Sequence, residues 1–298
     1  MYTTKVEIAK SRWRITPRQR GLVLGSCFAE NIGGQLRESF FDVVVNPCGI
    51  LFNPVSIGNS YCNIVERRKF REDELVFANG LWHSMEHHGT FSAADPAVVL
   101  GRINGEVPTH YDYVSLTLGT SWIYERQGEV VANCHKMHAD EFTRRRISVE
   151  EAVASLERVA MSGAQVIVTV SPVRHLRDGL AENSLSKSIL RLAAAHLCEK
   201  YDNVVYFPSY EIVNDELRDY RYYADDMLHP SAVAIKYIWQ RFSETFFDSS
   251  TLDFVHQVSR LRRTLAHRQL NNDSPEYEIL RLKTEAQLDE LVKNFMKK

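Results

Sequence analysis

Apolar residues along the chain fall into two patterns, and the two take turns. Short unbroken runs rich in β-branched residues occupy "GLVLGS" (21–26), "DVVVN" (42–46), "YVSLTLG" (113–119), "QVIVTVSP" (165–172) and "NVVYFPSY" (203–210). A strand with one face in water alternates apolar with polar residues. Runs without alternation suit strands covered on both faces, and such strands belong to parallel sheets. Between the runs the spacing is helical: Phe28, Ile32, Leu36 and Phe40 recur every fourth residue, Ser148 and Glu151 make a capping box ahead of "AVASLERVA", and "SKSILRLAAAHLCEK" precedes the fifth run. Strand and helix in alternation predict an α/β protein, a three-layer α/β/α sandwich with about five parallel strands, whose ligands sit beyond the carboxyl ends of the strands.

Three segments fall outside this alternation. Residues 68–95, with "LWHSMEHHGTFS", and residues 121–146, where "SWIYERQGEVVANC" reads as a hairpin turning at Gln127 and Gly128, are insertions over a strand-end face. Beyond residue 250 the strand pattern stops, and two amphipathic stretches, 251–270 and 275–297, separated by the turn signal "NNDSP", predict a C-terminal helical hairpin. The chain so divides into a body over 1–249 and a helical extension over 250–298, packed on the body or, as a second use, joining two copies into a homo-oligomer.

Composition narrows the partners. With 36 Lys and Arg against 38 Asp and Glu the net charge is −2, so no global field draws nucleic acid or an anionic membrane, and a small molecule is the expected ligand. The cysteines, Cys27, Cys48, Cys62, Cys134 and Cys198, are odd in number, widely spaced and free of CxxC pairs. That argues against a disulfide framework or a cysteine zinc site and fits reduced thiols in a cytoplasm. The first twenty residues carry scattered charges and no apolar core, so neither a secretory signal nor a membrane span is expected.

Candidate chemistry begins where the first strand ends. Ser26 and Cys27 occupy a tight strand-to-helix elbow, beside free helix amides whose partial positive charge stabilises an anion and lowers a thiol pKa. The plain alternative is that Ser26 caps the helix and Cys27 packs beneath it. The segment "YYADDMLHPSAVAIKYIWQRF" (222–242) supplies a complement: Asp226 and His229 stand three apart, and Pro230 reads as the first residue of a helix carrying Ile235, Ile238, Trp239 and Phe242. An imidazole takes a nucleophile's proton and returns it, and a carboxylate on its other nitrogen fixes the tautomer. His83, His87 and His88 with nearby Glu86, and His135 with His138, lack the spacing of a metal motif, so no metal or other cofactor is expected. The loops that carry them are read as lining the substrate pocket, with His88 or His135 as substrate contacts; "RRKFRED" (67–73) and "TRRR" (143–146) are read as solvated faces, with an arginine near the pocket as an alternative receiver of an acidic group.

The same residues carry a resemblance. "GSCFA" (25–29) is the motif that names the GSCFA family, relatives of the SGNH hydrolases, and "NPCGILFNP" (46–54), "TLGTSW" (117–122), "ANCHK" (132–136), "TVSPVRH" (169–175) and "YFPSYEIVNDELRDYRYYADDMLHPS" (206–231) match further, over roughly residues 20–240. The resemblance implies a flavodoxin-like, SGNH hydrolase-like sandwich with a nucleophile at the first strand end and Asp226 and His229 as its orienting acid and base. SGNH enzymes read Gly-Asp-Ser at the elbow where this chain reads Gly25-Ser26-Cys27. The register therefore favours Cys27 as the nucleophile and gives Ser26 the orienting place, with Ser26 kept as the alternative nucleophile. For the oxyanion the resemblance implies the amides of Cys27 and Gly49, and then Thr120, because Gly119-Thr120-Ser121 stands where the superfamily has GxND. Asn53 and Asn133 are reserves for that third donor and candidate substrate contacts.

The implied activity is acyl transfer from an acyl ester: with water as acceptor an esterase, with a sugar hydroxyl an acyltransferase, on a substrate such as an O-acylated carbohydrate. The departures from Gly-Asp-Ser and GxND motivate a competing reading, a catalytically silent carbohydrate or metabolite binder on the same fold. A metal-dependent hydrolase is the third.

Overall fold

A computed structural model describes residues 3–266 and 275–297. In chain order its first half runs β1 (Gly21–Gly25), α1 (Cys27–Glu38), β2 (Val43–Val45), α2 (Pro54–Val65), β3 (Leu75–Ala78), β4 (Leu81–Ser84), α3 (Pro96–Ile103) and β5 (Tyr113–Leu118). There follow β6 (Trp122–Arg126), β7 (Glu129–Val131), β8 (Thr143–Arg146), α4 (Val149–Ala160), β9 (Gln165–Val170), α5 (Gly179–Lys200), β10 (Val204–Tyr206) and the single turn α6 (Ser209–Glu211). The chain closes with α7 (Ala232–Phe246), α8 (Ser249–Ala266) and α9 (Pro275–Lys297).

The five unbroken apolar runs pair as one parallel sheet in the order β10-β9-β5-β1-β2. This is the flavodoxin-like order, and the chain reverses direction across the sheet between β1 and β5, the place where such folds hold ligands. Successive side chains of a strand point to opposite faces, and both faces here are buried. Leu22, Leu24, Leu116 and Val168 meet Ile57 of α2, Leu156 of α4 and Leu190 of α5 on one side. Val23, Tyr113 and Ile167 meet Phe28 and Leu36 of α1 and Ile238 and Phe242 of α7 on the other. Burying each large side chain of these two layers is worth about 1.5–3 kcal/mol, so the layers rather than local propensity hold the sandwich together.

The C-terminal helices extend the second layer. Phe254, Val255 and Val258 of α8 and Leu288 of α9 join the cluster of α1 and α7, and Phe254 stacks on Phe295 with ring centres 4.2 Å apart. The turn read from "NNDSP" falls mainly on residues 271–274, which lie outside the described residues together with 267–270. No helix among the described residues is long and apolar enough to cross a membrane.

Local departures from the sequence pattern have local causes. α1 ends at Glu38, and Phe40, expected within it, has left-handed φ 63° while the Phe41 amide bonds back to Leu36 O at 3.0 Å. Pro230 precedes α7 rather than opening it. Ser231 is the N-cap, its hydroxyl accepting from the Ala234 amide at 3.4 Å, and Pro230 forms a bridge with Tyr223. The hairpin of β6 and β7 turns at Gln127 and Gly128, with φ 53° and 86°, as a two-residue turn with positive φ at both positions requires. Asn79 and Gly80, φ 52° and 78°, do the same for β3 and β4 inside the first insertion. That Asn-Gly pair is a hairpin signal which the histidines around it obscured.

Candidate active site

The elbow depends on one glycine. At Gly25, φ 138°, a Cβ would lie 2.2 Å from the Thr117 carbonyl oxygen, so only glycine lets β1 run this close to β5 before turning. The Ser26 amide then donates to Thr117 O at 3.1 Å, and α1 starts at Cys27. Ser26 holds the N-cap position without capping: its hydroxyl bonds no helix amide, and the buried oxygen has no partner. The first amides of α1, those of Phe28 and Cys27, act instead on the Cys27 thiol.

These amides do not produce the low thiol pKa expected at a helix N-terminus. Burial pushes the Cys27 thiol above its ordinary value, and Glu30 adds to the rise, outweighing the two amides and the Lys187 charge. Withdrawing a thiolate from water costs more here than the helix end returns. Cys27 is therefore a thiol at neutral pH, and it needs a base.

His229 lines the same cavity as Cys27, with no hydrogen bond between the two among the described residues. Asp226 Oδ1 accepts from the amides of Leu228 at 2.9 Å and His229 at 3.0 Å, and Oδ2 lies 2.6 Å from His229 Nδ1. These bonds hold the Asp226 carboxyl down to about 2, so it is ionised at neutral pH and can only accept. In the neutral imidazole Nδ1 therefore carries the proton, and Nε2 keeps a free lone pair. Cys27 and His229 line one cavity of about 810 Å³, together with Ser26, Asn53, Thr120 and Asn133.

Beneath the cavity lies a residue that the sequence did not single out. Lys187 of α5 is wholly buried, and its Nζ donates to Gly119 O at 2.6 Å and Ser171 O at 2.8 Å, tying together the ends of β5 and β9. Burial brings its pKa down to about 7, against the pull of the nearby Cys27 charge. Its signal in the sequence is its step: Lys187 shares the buried stripe of α5 with Asn183, Leu190 and Ala194.

Of the expected oxyanion donors, two are already engaged. The Gly49 amide donates to Asn46 O at 2.8 Å in a turn, and Gly49 lies under His88, outside the cavity lining. Thr120 lines the cavity, but its amide donates to Phe52 O at 2.9 Å, while its hydroxyl accepts from the Trp122 amide at 3.1 Å and sits 3.2 Å from Ser186 Oγ. Asn53 has a donor to spare. It caps α2 through Oδ1, which accepts from the Ser56 amide at 2.8 Å, and Nδ2 gives one of its two hydrogens to Ser56 Oγ at 3.1 Å. Asn133 Oδ1 accepts from the His135 amide at 2.8 Å, which turns its amide group at the cavity wall.

His88 and His135 do not line the cavity. His88 accepts from the Thr90 amide at 3.3 Å at the start of a short turn. His135 Nε2 donates to Ser84 O at 2.8 Å, and its ring stacks on His83 at 4.4 Å, which fastens the second insertion to the first. Burial holds His135 and His87 near 4, so both are neutral. Among the described residues no three His, Cys, Asp or Glu side chains gather as a metal ion would require.

One residue of the stretch "TRRR", read as a solvated face, belongs instead to the cavity wall. Trp122, Tyr124 and Phe142 line it with Arg144, whose guanidinium lies 4.0 Å from the Trp122 ring centre and grips Asp178 at 2.7 and 2.5 Å. His175 also lines it; burial holds the ring neutral, near 4, and its Nε2 is buried without a partner.

A family model, the GSCFA family, matches residues 20–242. The chain belongs to the GSCFA family. The match runs from the residue before β1 into α7, so it takes in the whole sheet, both insertions and every cavity residue named above, and it stops before α8 and α9. No match is found among curated proteins. The GSCFA stretch itself, Gly25–Ala29, now reads residue by residue: the glycine permits the close approach, the serine leaves the helix uncapped, the cysteine meets the cavity, and Phe28 and Ala29 anchor α1 in the core.

Proposed function

We propose that this GSCFA protein is an acyl-transferring enzyme, an esterase or O-acyltransferase related to the SGNH hydrolases, with Cys27 as nucleophile, His229 as base and Asp226 as its orienting carboxylate. The observation that carries this reading is the ionised Asp226 holding His229 Nδ1 at 2.6 Å while the ring and the Cys27 thiol line the same cavity. Cys27 is preferred to Ser26 because the serine oxygen is buried, whereas Cys27 is only partly so and opens on the cavity.

The steps follow from the groups present. His229 Nε2 takes the thiol proton as Sγ attacks the ester carbonyl carbon, and negative charge moves onto the carbonyl oxygen. The Cys27 amide and the spare hydrogen of Asn53 Nδ2 receive it, a role in which one donor is worth about 3 kcal/mol of barrier. Collapse breaks the carbon–oxygen bond, the protonated imidazole returns its proton to the departing alkoxide, and a thioester remains. Water or an acceptor hydroxyl, deprotonated by the same imidazole, then attacks the thioester and regenerates the thiol. A reducing compartment such as the cytoplasm keeps Cys27 competent, and the five cysteines are free.

The test is turnover of a short 4-nitrophenyl ester. Wild type releases nitrophenol, and Cys27→Ala and His229→Ala each cut kcat/KM by about a thousandfold or more, while Ser26→Ala costs far less. Equal rates for all four proteins overturn the reading. They would leave the silent carbohydrate or metabolite binder, which the two engaged oxyanion amides favour.

A further inference from the structure

The arginines around the cavity divide into paired and unpaired. Those of the second insertion are neutralised: Arg126 meets Glu141 at 3.1 Å, Arg144 meets Asp178 at 2.5 Å, Arg145 meets Glu151 at 2.8 Å and Arg146 meets Glu182 at 2.6 Å. Arg174 and Arg177, on the loop after β9, also line the cavity, and neither forms a salt bridge among the described residues. Lys136, from the second insertion, is a third such cation in the lining, with no salt bridge among the described residues. The single carboxylate of the lining, Asp178, is already held by Arg144. Beside the Asp226 carboxylate, which is bonded to His229, a chain of net charge −2 thus gathers three cations without salt bridges, among the described residues, in one concave site.

Aromatic rings hold both guanidiniums. Arg174 lies 4.1 Å from the centre of the Tyr223 ring and 5.3 Å from that of Tyr220. Arg177 lies 5.4 Å from the Tyr124 ring and donates to the Tyr124 hydroxyl. Stacking dries one face of a guanidinium and fixes its plane, and it leaves the in-plane N–H edge for a planar or tetrahedral anion. The Arg174 amide donates to Leu228 O at 3.2 Å, so this cation belongs to the same loop contact that carries His229. The neighbouring His175 Nε2, buried and unpartnered, is one more polar atom left for a bound molecule.

We propose that the cavity takes a substrate bearing an anionic group, a carboxylate or a phosphate, which Arg174 and Arg177 receive while the ester carbonyl lies at Cys27. The proposal rests on the acyl-transfer reading for the carbonyl's position, but not for the anion site itself. Arg174, half-buried, contributes more than the exposed Arg177, because a guanidinium in water gains little from an ion pair.

Two measurements on the full-length protein separate the claims. The first is thermal shift with glutarate and with inorganic phosphate, against potassium chloride at equal ionic strength. A saturable stabilisation is expected for at least one, lost in the Arg174→Gln, Arg177→Gln double variant and partly kept in Arg174→Lys. The second is kcat/KM for matched esters: 4-nitrophenyl hydrogen glutarate against its methyl ester for an anion on the acyl side, and 4-acetoxybenzoate and 4-acetoxyphenyl phosphate against methyl 4-acetoxybenzoate for an anion on the alcohol side. A preference of tenfold or more for one anionic member is expected in wild type, falling towards one in Arg174→Gln and declining with added salt. The member preferred tells carboxylate from phosphate. Cys27-dependent cleavage with no charge preference and no anion stabilisation overturns the anion site and leaves acyl transfer standing. Anion stabilisation that the double variant abolishes, with no ester cleaved, upholds the site and overturns acyl transfer.

Discussion

Of the two insertions, both read as lining the substrate pocket, only the second lines the cavity of Cys27 and His229. The first, around β3 and β4, is rich in histidine and looks chemical, yet its imidazoles are spent on structure: His83 lies 2.6 Å from Ser92 Oγ and 3.0 Å from Ala78 O, and His87 lies 2.8 Å from Ser84 Oγ. The second, β6 to β8, ends in the arginine stretch read as a solvated face, yet Arg144 of that stretch joins Trp122 and Tyr124 in walling the cavity that holds Cys27 and His229. The difference lies in where each leaves the sheet. The second insertion springs from the carboxyl end of β5, at the point where the strand order reverses, whereas the first leaves the far end of α2. The first then serves as a buttress: the Ala132 amide donates to Met85 O at 2.7 Å, and Asn79 Nδ2 to His135 O at 3.2 Å. Chain topology, not residue type, decides which insertion lines the cavity.

If that contrast is right, damage to the wall and damage to the buttress have different signatures. The largest effect is expected at Arg144. Arg144→Ala leaves Asp178 without its cation and bares the face of Trp122, so kcat/KM for a 4-nitrophenyl ester should fall about a hundredfold, roughly the 2–3 kcal/mol of a broken charged contact. Adding Asp178→Asn should restore part of the loss, and no restoration would mean that the stranded charge is not the cause. Lys187→Met comes next. It removes the amine that donates to Gly119 O and Ser171 O, and kcat should fall about tenfold as the ends of β5 and β9 lose this tie, with KM little changed.

The smallest effect on turnover belongs to the buttress. His87→Leu should leave kcat/KM within about twofold while lowering stability at pH 7 by about 1–2 kcal/mol, because the Ser84 hydroxyl loses its partner. The same residue gives the pH dependence its sign. His87 titrates at about 4 in the folded protein against 6.5 when exposed, so between those values the unfolded chain binds more protons. Its contribution is complete above pH 6.5 and drains away as pH falls towards 4, by about 3 kcal/mol in all. Tm measured from pH 7 to 4 should therefore drop less steeply in His87→Leu than in wild type. A loss of turnover in His87→Leu as large as that of Arg144→Ala would erase the distinction between wall and buttress.

Much of this was legible from the chain alone, for reasons particular residues make plain. The five strands announced themselves because burial on both faces leaves an unbroken apolar run, and the grouping of Cys27, His229 and Asp226 was readable because an elbow and a DxxH turn are local in sequence. Lys187, His175 and Arg144 escaped because what matters about them is their depth and their partners, and Arg144 and Asp178 stand 34 residues apart. Gly49 misled for a third reason: an amide's identity can be read from sequence, but whether a turn has already claimed its hydrogen cannot. The thiol of Cys27 is a balance of opposed effects, and the depth of burial that tips it is a tertiary quantity.

The packing of α8 and α9 against the α1 and α7 layer also sets an order of events during synthesis. Phe254, Val255 and Val258 of α8 with Leu288 and Phe295 of α9 close an apolar face whose other members, Phe28 and Leu36, are made some two hundred residues earlier. At a translation rate of about 5–20 residues per second, that face waits at least ten seconds or so for its cover. A nascent chain halted near residue 246 would thus carry every cavity residue named here and still present a chaperone with a sticky flank.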